Sequence, residues 1–231
     1  MRIFAIGDLH LSDGDKPMDV FGEIWTDHFA RIAQDLRARA AAEDVILLPG
    51  DFSWAMRLED ATRHLALLAT FPGNKILVRG NHDYWWSSIQ RVREALPPNC
   101  FALQNDALRI GDVVFAGTRG WLLPYESTAE DDRKIYRREV LRLELSLKAA
   151  RRISEELPLV VMMHYPPLTR EHRQTDFTRL LTQYRAHTLV YGHLHGQALH
   201  SAFHGETDGV QYVNVSADGI GFTALEIPLE C

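Results

Sequence analysis

Short clusters of Asp, His and Asn follow apolar runs at five places along the chain, and these residue types can bind metal ions. The clusters are Asp8-Leu9-His10, Gly50-Asp51, Gly80-Asn81-His82-Asp83, His164 and Gly192-His193-Leu194-His195. Carboxylates, imidazoles and an amide oxygen form a mixed oxygen and nitrogen ligand set, which suits Mn, Fe, Zn or a related divalent ion. The clusters contain no cysteine, which disfavours a structural zinc site of the thiolate type.

Seven of these side chains are candidate metal ligands, which is too many for one ion. They are Asp8, His10, Asp51, Asn81, His164, His193 and His195. Such a set suits two ions that share a carboxylate, because two metals about 3.5–4 Å apart can activate a bridging hydroxide and hold a phosphoryl oxygen. In an extended chain residues i and i+2 point the same way, so each Asp-x-His or His-x-His pair is expected to face one centre. A lone histidine is more often structural, so the prediction rests on the whole series.

Apolar runs rich in β-branched residues predict the strands that must position these clusters. The predicted strands are 3–6, 45–48, 76–78, 113–116, 159–163, 188–191, 211–215 and 222–227. Helical spacing of apolar residues predicts helices at 24–36, at 58–68, after Asp83 and at 130–156.

The order of these elements predicts an α/β fold. Strand and helix alternate in the first half, which favours a parallel sheet, and the closer strands of the second half indicate a mixed sheet that could pack on the first. Because loops beyond the carboxyl ends of parallel strands meet at one edge, the five clusters are expected to converge there. The chain contains no repeat or linker-like tract, so residues 1–231 are predicted to form one domain.

Composition narrows the class of protein further. The 231 residues carry a net charge of -6, which gives no strong signal for nucleic-acid binding. Cys100 and Cys231 do not resemble a disulfide framework, and residues 2–6 already form a strand pattern with no leader before it. The sequence therefore predicts a cytoplasmic protein that does not span a membrane and whose partner is a small phosphoester substrate. It does not determine the oligomeric state.

Taken together, the motifs resemble those of the calcineurin-like metallophosphoesterase superfamily. The superfamily pattern, Asp-x-His, Gly-Asp, Gly-Asn-His-[Asp/Glu], His and Gly-His-x-His, is matched in full between Asp8 and His195. The resemblance implies two packed mixed β-sheets flanked by helices in a four-layer sandwich. The chain is similar to the short bacterial predicted phosphohydrolases of this superfamily, which implies a metal-dependent phosphatase or phosphodiesterase.

The resemblance also implies a role for each residue. It implies two divalent ions, Mn foremost and Fe, Zn or Ni as alternatives. It assigns Asp8, His10 and His195 mainly to the first metal, Asn81, His164 and His193 mainly to the second, and Asp51 to a bridging position. In similar enzymes the histidine after the metal-binding asparagine faces the substrate. His82 is therefore the predicted catalytic residue, either as general acid or as a donor to a phosphoryl oxygen.

Departures from better-known branches limit the substrate. The protein Ser/Thr phosphatase branch continues Gly-Asp with x-x-Asp-Arg-Gly, whereas this chain has Gly50-Asp51-Phe52-Ser53-Trp54-Ala55, which argues against a phosphoprotein substrate. The lipid A pathway hydrolases carry Gly-Asn-Arg-Asp where this chain has Gly-Asn-His-Asp. Monoester and diester substrates both stay open. The rival hypothesis is a non-catalytic scaffold of the same fold that binds a partner protein, although such relatives typically lose ligands.

Several residues outside the ligand series have two interpretations. Arg79 and Arg119 could hold phosphate or form surface ion pairs. The tryptophans at 54, 85, 86 and 121 could form an aromatic wall for a substrate, or they could simply pack in the core. His172 could lie on a loop over the site, and Asp83 could orient His82 or cap the next helix.

Overall fold

A computed structural model describes residues 1–14 and 16–229, and within them the chain forms eleven β-strands. The strands are β1 (Ile3–Ala5), β2 (Val45–Pro49), β3 (Asn74–Val78), β4 (Cys100–Ala102), β5 (Ala107–Ile110), β6 (Val113–Thr118), β7 (Leu159–Met163), β8 (Thr188–Tyr191), β9 (Gly205–Thr207), β10 (Val210–Asn214) and β11 (Leu225–Glu226). Cys231, one of the two cysteines of the sequence, lies outside the described residues.

The strands form two mixed sheets. The first has the order β11-β1-β2-β3-β4 and the second the order β5-β6-β7-β8-β10-β9. Strands β1 to β4 are mutually parallel, as are β6, β7, β8 and β10, and the three antiparallel strands β5, β9 and β11 lie at sheet edges. The carboxyl ends of the parallel strands therefore gather loops at one edge of each sheet.

Five α-helices cover the outer faces of the sheets in the described part of the chain. They are α1 (His28–Arg39), α2 (Leu58–Leu67), α3 (Ile89–Ala95), α4 (Glu130–Ile153) and α5 (Asp176–Gln183). Short 3-10 helices occupy Met18–Phe21, Glu23–Trp25, Leu68–Thr70 and Gly196–Ser201. Among the residues described, no helix is long and apolar enough to cross a membrane.

Side chains that alternate between the two faces of each strand form the layers of the fold. Val45 and Leu47 of β2 pack in the core between the sheets, whereas Ile46 and Leu48 of the same strand pack against the helices. All five residues of β2 are buried, as expected for a strand covered on both faces. A third cluster fills the space between the second sheet and helices α4 and α5. The result is a four-layer arrangement of helices, sheet, sheet and helices, which confirms the predicted fold class.

Some predicted boundaries are wrong for local reasons. The strand predicted at 222–227 is only β11, because Phe222 has a left-handed φ of 60° and cannot continue a ladder. The first helix begins at His28 rather than near Ile24, since Asp27 has a left-handed φ of 51° and breaks the helical run. Helix α4 ends at Ile153, short of the predicted residue 156. The sequence analysis did not predict β4, β5, β9 or α5.

Candidate functional site

The seven candidate ligands lie in loops after five parallel strands. Asp8 and His10 follow β1, Asp51 follows β2, Asn81 follows β3, His164 follows β7, and His193 and His195 follow β8. The first sheet supplies four of them and the second sheet three. Since the packed sheets end at the same edge, the structure brings all seven together as the sequence predicted.

A left-handed backbone conformation, and not extended chain, directs several of these side chains toward the site. Asp8, His10, Asp51 and His193 have φ values of 60°, 47°, 51° and 74°. The expectation that extended chain points each i, i+2 pair at one centre is therefore wrong. Asp8 and His10 do lie together, but His193 contacts Asn81 and His164 whereas His195 contacts Asp8 and His10. Asp and His adopt this conformation more readily than most residues, but it still costs on the order of 1 kcal/mol or more at each position. Such strain persists only where the surrounding structure holds it.

The buried carboxylate of Asp83 holds two of the loops together. It accepts five hydrogen bonds of 2.7–3.2 Å, from the backbone amides of Asp51, Phe52, Ser53 and Gly80 and from the Trp85 indole. Neither interpretation offered from the sequence is right: Asp83 makes no hydrogen bond to His82, and Ser88 caps helix α3. Asp83 is instead a clamp between the turn after β2 and the turn after β3.

One group of ligand atoms is formed by Asp8, His10 and His195, whose candidate atoms all lie within 4.8 Å of one another. His195 Nε2 lies 3.7 Å from Asp8 Oδ1 and 3.5 Å from His10 Nε2. These separations are close to those between ligands around a single ion, because metal–ligand distances of about 2.0–2.2 Å put neighbouring donors about 3–3.5 Å apart.

A second group contains Asp8, Asp51 and His164, whose candidate atoms also lie within 4.8 Å. Asn81 Oδ1 lies 2.6 Å from His164 Nε2 and 3.0 Å from His193 Nδ1, so both join this group. Asp51 Oδ2 is 3.5 Å from His164 Nε2 and 3.9 Å from His10 Nε2, between the two groups. This position fits the bridging role that the resemblance implies.

Burial shapes the charge of these ligands. It raises the pKa of Asp8 to about 8 and that of Asp51 to about 6, and it lowers the pKa of His164 and of His193 to about 3. His164 Nδ1 lies 3.1 Å from the Pro49 carbonyl and therefore carries the proton, which leaves the Nε2 lone pair facing Asp51. Buried carboxylates and neutral imidazoles are a donor set that divalent ions fit.

Asp218 is a site residue that the sequence analysis missed. Its carboxylate accepts hydrogen bonds from His195 Nδ1 at 2.8 Å and from the Gly196 amide at 2.9 Å. Although burial opposes the shift, Asp218 raises the pKa of His195, and it fixes the ring with Nε2 toward Asp8. The sequence did contain a signal for this residue, because Asp218 follows the strand predicted at 211–215 just as the other polar clusters follow their strands.

His82 lies at the border between the ligand cluster and an apolar cavity. Its backbone amide donates to Asp51 Oδ1 at 2.8 Å, and its half-buried ring lies 4.3 Å from the Trp54 ring, centroid to centroid. Trp54 also stacks on His10 at 4.9 Å. Of the four tryptophans considered from the sequence, Trp54 is therefore the one beside the cluster, with Trp85 and Trp86 buried in the core behind it.

The other residues singled out from the sequence lie elsewhere. Arg79 and Arg119 line a separate polar cavity of about 200 Å³, where Arg119 lies 3.7 Å from buried Glu139 and 4.4 Å from the Trp121 ring. His172 stacks on exposed Tyr125 with ring centroids 4.0 Å apart. None of the three arginine or histidine side chains lines the cavity beside His82.

Solved structures share this fold at low sequence identity. TT1561 from Thermus thermophilus is 16% identical with a TM-score of 0.60, and the match covers 99% of each chain. The phosphopantetheinyl hydrolase PptH from Mycobacterium tuberculosis is 16% identical with a TM-score of 0.59, covering 99% of this chain and 96% of that one. The protein of unknown function AQ665 from Aquifex aeolicus is 14% identical with a TM-score of 0.52, covering 97% and 95%.

Comparison with curated proteins finds no significant match. The sequence profile of the calcineurin-like phosphoesterases, in contrast, matches residues 1–197. That range contains all seven candidate ligands and His82, and it spans both sheets. The matched range and the fold together show that the chain belongs to the calcineurin-like phosphoesterase family.

Proposed function

We propose that this protein hydrolyses a phosphomonoester or phosphodiester of a small molecule with the help of two divalent metal ions. The observation that carries the proposal is the convergence of seven oxygen and nitrogen ligands in two overlapping groups that share Asp8, with Asp51 between them. Family membership supports the class of reaction.

The proposed ligands divide between the two ions as the family resemblance assigns them. Asp8, His10 and His195 would hold one ion; Asn81, His164 and His193 would hold the other; Asp51 would contact both. Ions bound there would activate water and stabilise negative charge on the phosphoryl oxygens. The family resemblance favours Mn, and the mixed oxygen and nitrogen ligand set is also compatible with Fe, Zn or Ni.

His82 is the proposed catalytic side chain beside the metals. Its backbone amide donates to Asp51, and its ring lies at the inner end of the apolar cavity, where the cavity meets the ligand cluster. An imidazole in this position can donate a proton or a hydrogen bond to the departing ester oxygen. The phosphorus–oxygen ester bond breaks, water supplies the new oxygen on phosphorus, and the leaving group departs as an alcohol.

Loss of single ligands tests the proposal directly. Asp51→Ala and His193→Ala should each abolish turnover of mono- and bis-nitrophenyl phosphate by Mn-loaded protein, because each removes a donor from the centre of the cluster. His204→Ala, an exposed histidine outside the site, is the matched control and should keep full activity. Retained activity in both ligand variants would refute the metal assignment.

The catalytic and ligand roles of His82 can be separated in the same way. His82→Ala should bind two metal equivalents, measured by elemental analysis after gel filtration, yet lose about 10²–10⁴-fold in kcat. A fall in metal content would make His82 a ligand instead. Wild-type protein that binds metal but hydrolyses neither nitrophenyl ester nor any member of a metabolite library would favour the non-catalytic scaffold.

A further inference from the structure

An apolar cavity of about 340 Å³ opens directly beside His82. The ligand-cluster side of the cavity is formed by His10, His82 and His195. The rest of the lining is mainly apolar: Met18, Phe21, Ile24, Trp25 and Trp54, together with Gly196 and Asp218. A group bound here would therefore meet His82 and the other histidines at one end and mainly apolar side chains along the rest of its length.

Two tryptophans flank the histidines at the inner end of this cavity. Trp54 stacks on His10, and its indole N–H is used by the Met18 sulfur at 3.3 Å. Trp25 meets His195 edge-on at 5.5 Å between ring centroids and is itself buried. The cavity wall thus consists of aromatic faces and aliphatic groups, and the indole N–H of Trp54 already has an acceptor in Met18.

The rim of the cavity carries an unusual concentration of exposed apolar side chains. Phe21 and Ile24, which line the cavity, are 67% and 56% exposed, and Val20, next to Phe21 in the chain, is 71% exposed; all three lie in the two 3-10 helices between residues 18 and 25. A contiguous exposed apolar patch marks a binding surface more often than single exposed residues do. Its continuity with the cavity beside His82 assigns it to the substrate.

Polar groups that could read a nucleobase are lacking in the described cavity wall. Apart from the three histidines at its inner end, the polar side chain of the wall is Asp218, and both of its oxygens already accept hydrogen bonds from His195 and Gly196. A base edge with several donors and acceptors would lose more water contacts than these few groups can replace, and each group left unsatisfied costs about 1–3 kcal/mol. An apolar group loses none.

We propose that this cavity binds an apolar leaving group, so that the substrates are phosphoesters of hydrophobic alcohols with an alkyl or aryl body. The inference rests on the proposed function and names its substrate class. In the reaction, water attacks phosphorus, the ester oxygen leaves with its bonding pair and takes up a proton on the His82 side, and the hydrophobic alcohol is released.

A homologous series of n-alkyl phosphates from ethyl to octyl tests the proposal, because the acidity of the leaving alcohol stays nearly constant while its apolar surface grows. We expect kcat/KM to rise by up to about fourfold for each methylene that becomes fully buried, until the cavity is filled. A methyl n-alkyl phosphate series provides the same test for diesters. Equal kcat/KM for ethyl and octyl esters would overturn the proposal.

Two variants at the rim of the cavity test whether the preference for long alkyl esters arises there. Phe21→Ser and Ile24→Ser should each reduce the ratio of kcat/KM for octyl phosphate to kcat/KM for ethyl phosphate several-fold, because both side chains line the cavity and neither belongs to the ligand cluster. Leu141→Ser is the matched control, since Leu141 is 61% exposed on helix α4, remote in sequence from the rim. An unchanged octyl preference in both rim variants would remove the cavity from the explanation.

Binding separates this inference from the proposed function. Tryptophan fluorescence should report tighter binding of n-octylphosphonate than of ethylphosphonate, and the difference should shrink in Phe21→Ser. If no ester is hydrolysed but this preference appears, the proposed catalysis fails while the apolar site stands. If adenosine monophosphate binds more tightly than octylphosphonate and Phe21→Ser weakens it, the cavity is a nucleobase site and the proposal is wrong.

Discussion

Replacing Asp218 with Ala should weaken metal binding by the group formed by Asp8, His10 and His195. The Asp218 side chain is 2% exposed, and its carboxylate lies 2.8 Å from His195 Nδ1. The other oxygen accepts from a backbone amide, so the carboxylate cannot turn away. These two contacts hold the His195 ring with Nε2 only 3.7 Å from Asp8 Oδ1.

The expected size of the effect follows from this geometry. Removing a carboxylate behind a ligating histidine typically costs about 10–100-fold in metal affinity, which is about 1.4–2.7 kcal/mol. Asp218→Asn should lose less, because the amide oxygen can still accept the Nδ1 proton although the charge is gone. Affinity at the Asn81, His164 and His193 group should change little, since none of these residues hydrogen-bonds to Asp218.

The assay is Mn²⁺ titration of metal-free protein by calorimetry, with two sites fitted separately. Asp112→Ala is the control, because Asp112 is 88% exposed and pairs only with Arg109 at 3.0 Å. Thermal unfolding by circular dichroism verifies that each variant is folded. Wild-type affinity at both sites in folded Asp218→Ala would refute the idea that Asp218 positions His195, and equal losses at both sites would refute the division into two groups.

Three further predictions concern the framework of the site and the opposite end of the first sheet. Asp83→Asn should lower the free energy of unfolding by about 2–4 kcal/mol in urea titrations, because an amide NH₂ would face N–H donors that now bind a carboxylate. Gly192→Ala should bind less metal than the wild type, because the added Cβ would collide with the Asp8 carboxylate. Elemental analysis measures the metal content of both proteins. Burial raises the pKa of Asp44, but hydrogen bonds from Arg2 outweigh it and hold the pKa below its usual value. The stability that Asp44 contributes is therefore present above about pH 4 and lost as the pH falls through its folded pKa. Asp44→Asn should accordingly be less stable than wild type by about 1–3 kcal/mol at pH 7, with the difference shrinking in acid.

Fold class was predictable because the strands that build it are strongly apolar. The predicted strand at 159–163 coincides with β7, and that at 188–191 coincides with β8. These strands are buried on both faces, so their sequences carry a clear signal. Strands β4, β5 and β9 are three or four residues long and at least partly exposed, so backbone pairing with a neighbour decides them rather than their own residue types.

The ligand series was predictable for a different reason, since each cluster carries its own residue types at a strand end. Two features of the site were not. The left-handed φ of His10 depends on tertiary hydrogen bonds such as that from its amide to the Asp51 carbonyl, 41 residues away. The partition of the tryptophans into Trp54 beside the cluster and Trp85 in the core depends on which side of a loop faces the cavity, and spacing alone does not decide that.

Packing between the sheets is what turns the seven residues into one site. The first sheet contributes Asp8 and Asp51, and the second contributes His164 and His193, so the ligand distances depend on how one sheet lies on the other. Two hydrogen bonds from backbone amides tie the sheets at the site itself: the Gly7 amide donates to the Val215 carbonyl at 2.8 Å, and the His193 amide donates to the Asp8 carboxylate at 3.1 Å. Because close-packed cores resist sliding, the apolar residues between the sheets hold these distances, although none of them carries chemistry. The precision of the site therefore resides in core residues that no motif identifies.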